Sequence, residues 1–135
     1  MKSINTVPLE AISLSGGFWK QRTQVVADEV IPYQWKALNN QIPGAPASHA
    51  VENFRIAAGE SEGKPKGTIF QDSDVAKWIE AASYSLLTKR DSDLEARIDE
   101  LVRMIEKSQQ SDGYVNTYFI AAAEIKKKWS DLVMG

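Results

Sequence analysis

Hydrophobic and polar residues recur with helical spacing over much of the chain. The clearest pattern runs from Ile69 to Leu87, where apolar side chains lie three or four residues apart: Val75, Trp78, Ile79, Ala82 and Leu86. This spacing predicts an amphipathic helix with one buried face. Asp72, Ser73 and Asp74 come just before the apolar positions. We expect Asp72 or Ser73 to cap the N-terminus of this helix.

A second amphipathic pattern follows after only three residues, Lys89 to Asp91. Its predicted buried positions are Leu94, Ile98, Leu101, Val102 and Ile105. Ser92 and Glu95 fit a capping box, in which each side chain accepts a hydrogen bond from a backbone N–H group of the first turn that would otherwise lack a partner. A connection this short predicts that the two helices pack as an antiparallel pair.

The N-terminal half is less regular. Residues 4–14 read as an extended segment, and Gly16-Gly17 ends it. Phe18 and Trp19 then precede a helical pattern that runs from Lys20 to about Asn39, and we expect these two aromatic rings either to staple the entry of that helix or to cover one end of a core. Pro32 interrupts that pattern, which predicts either two helices that meet near Ile31 or one kinked helix.

Shorter elements follow these patterns. Residues 39–48 and 60–68 are rich in Gly, Pro and polar residues and predict loops, with a short helix at 49–58 between them. In residues 109–119 a Ser-Asp-Gly turn comes first. If the chain is extended after it, Tyr114, Asn116 and Tyr118 share one face. Residues 120–128 can form a further short helix.

Composition excludes several classes of function. The 135 residues are 43% hydrophobic and 25% charged with a net charge of −2, which suits one globular domain and argues against a nucleic-acid partner. No apolar run is long enough for a membrane span, and no signal-peptide pattern opens the chain, so we expect a cytoplasmic protein without a membrane partner. With no Cys and one His, His49, the chain offers neither a thiolate nucleophile nor a zinc site.

Two groups of residues are candidates for chemistry. Asp72 and Asp74 could act as a carboxylate pair, but residues two apart on a helix point in different directions. The simpler interpretation is that Asp72 caps the helix and Asp74 interacts favourably with the helix dipole, and the alternative is that one of them lines a polar cleft. The second group mixes amide, carboxylate and aromatic side chains that suit sugar hydroxyls and C–H faces, although a hydrogen-bonded turn explains it as well: Gln110, Asp112, Tyr114 and Asn116.

A family resemblance adds to this picture. The stretches FQDSDVAKWIEAASYSL and QQSDGYVNTYF resemble the N-terminal part of the glycoside hydrolase family 127 (GH127) catalytic domain, the β-L-arabinofuranosidase-like group. Further matching segments occur in the same order, from about Val7 to Gly135: Gly17-Phe18-Trp19, Ile31-Pro32-Tyr33-Gln34, Asn53-Phe54-Arg55, Ala57-Ala58-Gly59 and Trp129-Ser130-Asp131-Leu132.

The resemblance implies an all-α fold, namely the first helices of an (α/α)6 barrel, with β-sandwich domains attached in full-length members. It implies a retaining exo-hydrolase of β-L-arabinofuranosides. The nucleophile of such enzymes is a Cys near a zinc ion held by a Glu and further Cys residues, and a Glu is the acid/base. This chain departs from that pattern because it has no Cys. Neither a catalytic nor a metal-binding residue can therefore be carried over.

The expected organisation is an extended segment over residues 1–17 and the opening barrel helices over residues 18–135. We expect an N-terminal portion of a carbohydrate-active hydrolase that is inactive alone, without a cofactor of its own, while zinc would belong to the full-length enzyme. The candidate substrate-binding residues are Asp72, Asp74, Gln110, Asp112, Tyr114 and Asn116. The alternative is a non-catalytic helical interaction module. In either case exposed apolar helix faces would favour self-association.

Overall fold

The regular structure is helical throughout the part of the chain that the computed structural model describes, residues 6–130. Its α-helices are α1 (Gly17–Val25), α2 (Ile31–Leu38), α3 (Ala50–Ala57), α4 (Asp72–Thr88), α5 (Ser92–Ser108) and α6 (Thr117–Ala121). Short 3-10 turns occupy Leu9–Ala11 and Ile125–Lys127. No β-strand occurs in this range, which confirms the predicted all-α class. None of these helices is long and apolar enough to cross a membrane.

The predicted N-terminal extended segment differs from the structure in one respect, because Leu9–Ala11 forms a 3-10 turn rather than extended chain. Residues 4 and 5 of the predicted segment lie outside the described residues. Helix α1 already begins at Gly17, whose φ of 70° is a conformation that glycine adopts without a steric penalty. The segment is therefore only partly extended.

Pro32 is accommodated by a change of helix type. A π-helical segment, Val26–Val30, joins α1 to α2, and the Ile31 N–H donates to the Val26 carbonyl five residues back. Pro32 then lies in the first turn of α2, where its missing N–H is least costly. In a continuous α-helix its ring would clash with the carbonyl four residues earlier. The outcome is one helical rod with a π-turn, close to the predicted kinked helix.

Helix α4 is the centre of the core, as its apolar pattern predicted. Val75, Trp78 and Ala82 are buried, and Ile79 and Leu86 pack against them. The Trp78 indole stacks at 4.9 Å on the Trp35 ring of α2, and its Nε1–H donates to the Ile31 carbonyl at 3.1 Å. Since a buried indole N–H needs an acceptor, this bond fixes α2 against α4.

The predicted antiparallel pair of α4 and α5 is confirmed, with two corrections of detail. The cap of α5 is Asp91, not Ser92, and its carboxylate accepts from the backbone N–H groups of Asp93 and Leu94 at 3.0 Å each. The prediction that Val102 is buried is wrong, because Val102 is 48% exposed and Met104 fills the core instead.

Helix α3 packs between α4, α5 and α6 and fastens the loop that follows it. Asn53 is only 2% exposed. Its Nδ2 donates to the Lys66 carbonyl at 2.8 Å, and its Oδ1 accepts from the Lys66 N–H at 3.0 Å. A buried side-chain amide thus satisfies both backbone groups of one loop residue, as a neighbouring strand would.

The expectation that Phe18 and Trp19 cover a core is wrong. Both rings are exposed, Trp19 by 68%, and they meet edge to face at 5.2 Å between centroids. No residue of α1 or of the π-helical segment is buried. These aromatic rings are therefore at the surface of this chain.

The bond from Trp78 to Ile31 leads to a stability prediction. Trp78→Phe keeps an aromatic ring but leaves the bond unmade, so we expect the free energy of unfolding to fall by about 1–3 kcal/mol. Urea unfolding followed by circular dichroism measures it. Trp19→Phe, at an exposed position, is the matched control and should change the value by less than about 0.5 kcal/mol. Equal losses in both variants would contradict this role of Trp78.

Candidate functional site

The polar centre of the molecule lies where the N-terminus of α4 meets the N-terminus of α6. The Asp72 carboxylate accepts two hydrogen bonds from Thr117: Oδ2 from the backbone N–H at 2.7 Å and Oδ1 from the hydroxyl at 2.6 Å. Bonds to a charged acceptor are short and stronger than bonds between neutral groups. They join two segments that are 45 residues apart in the sequence.

This arrangement corrects the predicted cap of α4. Asp72 is the first residue of the helix rather than its cap, and Ser73 lies within the first turn. The cap position is Gln71, whose side chain makes no capping bond there. Burial raises the pKa of Asp72 above its ordinary value of 3.8, and the two bonds from Thr117 oppose that rise.

Asn116 connects the same region to the chain before α4. Its Oδ1 accepts from the Phe119 N–H at 3.4 Å and so caps α6, while its Nδ2 donates to the Ile69 carbonyl at 3.2 Å. Since α6 begins at Thr117, the extended alternation predicted through Tyr118 ends at Asn116. The predicted shared face of Tyr114, Asn116 and Tyr118 is wrong for that reason.

Tyr114 is enclosed rather than open to a ligand. The residue is 7% exposed, and its Oη is buried without a hydrogen-bond partner among residues 6–130. The Trp129 ring lies 4.9 Å from the Tyr114 ring, and the Lys128 Nζ lies 5.4 Å from its centroid. Burial raises the pKa of the Tyr114 phenol, with smaller contributions from the charges of Asp72 and Asp112.

Gln110 and Asp112 belong to the turn that carries Tyr114. The Gln110 N–H donates to the Tyr114 carbonyl at 2.9 Å, and Asp112 Oδ1 accepts from the Tyr114 N–H at 3.1 Å. The other carboxylate oxygen of Asp112 pairs with Lys128. The Lys128 bond, followed by the bond from the Tyr114 N–H, lowers the pKa of Asp112. Unlike Tyr114, the Asp112 side chain stays exposed.

Asp74 is separated from this group. It is exposed, its nearest charged partner is Lys77 at 3.5 Å, and it borders a groove of about 430 Å³ between α4 and the π-helical segment with α2. Asp72 instead bonds to Thr117. The structure therefore brings Asp72, Asn116 and the 110–114 turn together, and it does not unite the two carboxylates as an acid–base pair.

Two residues of this region escaped the sequence-based prediction. Thr117 was missed because nothing in the sequence shows that its N–H and hydroxyl face a distant carboxylate. Gln71 was missed as well, although its Oε1 accepts from the Thr68 N–H at 3.0 Å and its Nε2 donates to the Ser48 carbonyl. The sequence shows only the glycine at position 67, and the structure gives its reason: φ is 87° there, and a Cβ would overlap the Gln71 amide.

The residues present do not fit the zinc ion that the family resemblance implies. The sequence has no Cys, and residues 6–130 contain no group of three or more potential ligands among His, Asp and Glu.

Comparison with known proteins assigns the chain to a family. The family model for the catalytic domain described as "Beta-L-arabinofuranosidase, GH127 catalytic domain" matches residues 11–134. The chain belongs to the GH127 family. The recognition of GH127 from the two motifs is thereby confirmed.

Individual GH127 proteins agree with this assignment. The chain is 39% identical to a non-reducing end β-L-arabinofuranosidase of Bifidobacterium longum, with 89% of the chain aligned. It is 56% identical to the crystal structure of a GH127 β-L-arabinofuranosidase from Geobacillus stearothermophilus, with a TM-score of 0.82 over 87% of the chain. A second GH127 β-arabinofuranosidase structure is 34% identical, with a TM-score of 0.71 over 85% of the chain.

The chain spans about a fifth of the length of these GH127 relatives: 20% of the Bifidobacterium protein and 18% and 17% of the two solved chains. The predicted portion of an α/α barrel is confirmed by this match, since the neighbours are enzymes of that fold. The matched relatives are β-L-arabinofuranosidases, so the predicted likeness of this chain to one portion of such glycoside hydrolases is confirmed.

The bonds of Asp72 lead to a second stability prediction. Asp72→Ala leaves the N–H and hydroxyl of Thr117 without their acceptor, so the free energy of unfolding should fall by about 1–3 kcal/mol at neutral pH. Asp74→Ala is the matched control, and it should cost less than about 1 kcal/mol because this carboxylate is exposed and pairs at the surface with Lys77 beside the helix dipole. Urea titration of both variants measures the difference. Equal destabilisation would contradict the buried role of Asp72.

The raised pKa of Asp72 predicts how stability depends on pH. A carboxyl group whose pKa is higher in the folded protein than in the unfolded chain contributes most to stability below pH 3.8, the ordinary pKa of Asp. That contribution is lost as the pH rises through the pKa of the folded protein. The free energy of unfolding of the wild type, minus that of Asp72→Asn, should therefore fall as pH rises. Thr117→Val removes one bond that opposes the shift and should move the fall to higher pH. A difference that is flat or rises with pH would contradict this assignment.

Proposed function

We propose that the chain forms the N-terminal portion of a GH127 catalytic domain that acts on β-L-arabinofuranosides. One observation carries the proposal: 56% identity at a TM-score of 0.82 to a GH127 β-L-arabinofuranosidase, over 87% of this chain. Identity at this level preserves the backbone geometry of the matched portion and most of its side chains. The similar enzymes are β-L-arabinofuranosidases, and we propose the same substrate class for the domain to which this chain contributes.

Within such an enzyme, the candidate residues divide into two roles. Asp72, Tyr114 and Asn116 hold the 110–114 turn in place, because their polar groups are buried or paired within the protein. Gln110 and Asp112 are the proposed sugar contacts on that turn, and Asp74 is a proposed contact beside the groove. Rigid support of a polar turn suits sugar binding, since little ordering entropy remains to be lost when the ligand binds.

The chemical step belongs to polypeptide outside this chain. The resemblance implies a Cys nucleophile and a zinc ion with Cys ligands, and the chain has no Cys. We therefore propose that it contributes binding and positioning, without a catalytic or metal-ligating residue. The absence of a nucleic-acid or membrane partner and the cytoplasmic location stay predictions from the sequence.

A chimeric enzyme tests the proposed function. The matched fifth of the Geobacillus stearothermophilus enzyme is replaced by this chain, and arabinose release from a β-L-arabinofuranosyl substrate is measured. We expect activity within about tenfold of the parent, since conserved packing tolerates hydrophobic exchange of similar volume. The 135-residue chain alone should release no arabinose. A folded but inactive chimera, or hydrolysis by the chain alone, would contradict the proposal.

The same chimera tests the sugar contacts. Asp112→Ala should raise KM by about tenfold or more, because a hydrogen bond to a charged group contributes about 1.5–3 kcal/mol. Asp99→Ala, which removes an exposed carboxylate on α5, is the matched control and should leave KM unchanged. If both variants keep the KM of the chimera, Asp112 is not a substrate contact.

A further inference from the structure

The surface beside the 110–114 turn carries an exposed aromatic side chain, that of Trp129. The residue is 62% exposed, although one part of its indole packs on a buried residue. The Trp129 and Tyr114 rings lie 4.9 Å apart between centroids, with 70° between their planes, which is an edge-to-face contact. Tyr114 therefore supports the indole from the protein side, and most of the Trp129 side chain stays open.

The backbone at Trp129 is held in an unusual conformation. Its φ is 67°, in the left-handed region that a bulky L-residue seldom adopts. The Ser130 N–H donates to the Lys127 carbonyl at 3.0 Å and closes a turn around Trp129. A residue other than glycine keeps such a conformation only where its surroundings fix it, and such positions cluster at binding sites. The indole is thus positioned by the turn and by Tyr114.

Hydrogen-bonding groups adjoin the open ring. Lys128, the residue before Trp129, pairs with the exposed carboxylate of Asp112, which is one of the proposed sugar contacts. Lys127 pairs with Glu124 at 2.9 Å. Since two of the three lysines before Trp129 are neutralised in this way, the surface offers donors and acceptors without selecting an anion.

This combination suits a neutral sugar unit. The C–H hydrogens on one side of a sugar ring are weakly positive, and the face of an indole is negative, so the two attract each other. The hydroxyl groups of the sugar can then bond to the carboxylate of Asp112 and to the Lys128 ammonium. A protein partner would need a broader apolar surface, whereas the neighbours of Trp129 in the sequence are Lys128 and Ser130.

Exposure indicates which sugar of the substrate is bound. A ligand pocket covers most of the group on which it acts, and the reacting bond is shielded from water. Trp129 and Asp112 are open, so they suit a part of the substrate beyond the reacting bond. The Bifidobacterium longum relative is a non-reducing end β-L-arabinofuranosidase. Hydrolysis at a non-reducing end removes one sugar, and the rest of the substrate is the leaving group.

We propose that Trp129 is the stacking platform for the sugar unit on the leaving-group side of the reacting bond, with Asp112 as its hydrogen-bonding neighbour. This inference rests on the proposed function and deepens it, because it names the residue that selects a sugar as the leaving group. Trp129 is a specificity-determining residue and takes no part in the chemical step.

Two substrates that share the terminal sugar test the proposal in the chimeric enzyme. One is a disaccharide of two β-L-arabinofuranosyl units, and the other is methyl β-L-arabinofuranoside, which has no second sugar. The measured quantity is the ratio of kcat/KM for the disaccharide to kcat/KM for the methyl glycoside. Trp129→Leu keeps an apolar side chain without a ring and should lower this ratio about tenfold. Trp129→Phe keeps a ring and should hold the ratio within about threefold of the parent chimera.

Trp19→Leu is the matched control. Trp19 on α1 is 68% exposed and Trp129 is 62% exposed, so the two variants change the same side chain at similarly open positions. Trp19→Leu should leave the ratio as it is in the parent chimera. A purely structural role of Trp129 would lower kcat/KM for both substrates alike. An unchanged ratio in Trp129→Leu, or an equal fall in Trp19→Leu, would overturn the inference and leave the proposed function intact.

A second measurement does not depend on activity. The 135-residue chain is titrated with the same disaccharide, and the indole N–H signals are followed by ¹H–¹⁵N NMR. The Trp129 signal should shift saturably, and the Trp19 signal should stay in place. No shift at Trp129, or an equal shift at Trp19, would overturn the inference even if the chimera were inactive, an outcome that contradicts the proposed function separately.

Discussion

The paired hydrogen bonds from Thr117 to the Asp72 carboxylate join the start of α4 to the start of α6, beside the turn that carries the proposed sugar contacts. A carboxylate loses hydration energy when it is buried, and here two short bonds offset much of that loss. The pKa of Asp72 shows which effect is larger, because burial still raises it above the ordinary value. The charged carboxylate is therefore less favoured in the folded protein than in water, although it still supplies the acceptors for both Thr117 donors. It fixes where α6 begins, and with it the position of the 110–114 turn.

A second constraint acts on the other side of α4. Trp78 packs on Trp35 and donates to the Ile31 carbonyl, so the same helix positions the N-terminal rod and, at its first residue, the polar turn. One helix, α4, therefore positions both the N-terminal rod and the polar turn. Its apolar face supports the N-terminal rod, and its N-terminus supports the region around the proposed sugar contacts.

The sequence predicted the helices well and their ends poorly. Periodic apolar positions are repeated over many residues, so α4, α5 and their pairing could be recognised from the pattern. A cap depends on one side chain, and neighbouring candidates compete: Asp91 rather than Ser92 caps α5. Val102 and Met104 lie on opposite edges of the apolar stripe of α5, and only the edge with Met104 is covered by the rest of the fold.

The candidate site was predictable in composition but not in arrangement. The motifs identified Asp72, Asn116 and the turn between Gln110 and Tyr114, yet the partner of Asp72 is 45 residues away in sequence, a distance at which local patterns carry no information. The burial of Phe18 and Trp19 was predicted wrongly, because the hydrophobicity of a side chain does not show whether it is covered by the same 135 residues.

The π-turn before Pro32 limits how the length of this chain can vary. A π-turn closes its hydrogen bond over five residues where an α-turn uses four, so Val26–Val30 accommodates one residue more than a regular helix of the same rise would. Deletion of one residue there would restore α-helical spacing, leave α1 and α2 in nearly the same relative orientation, and place the proline ring against the carbonyl four residues earlier. A relative that lacks one residue of this segment should therefore also lack the proline at position 32. A gap placed at Val26–Val30 in the alignment of a relative that keeps this proline would be misplaced.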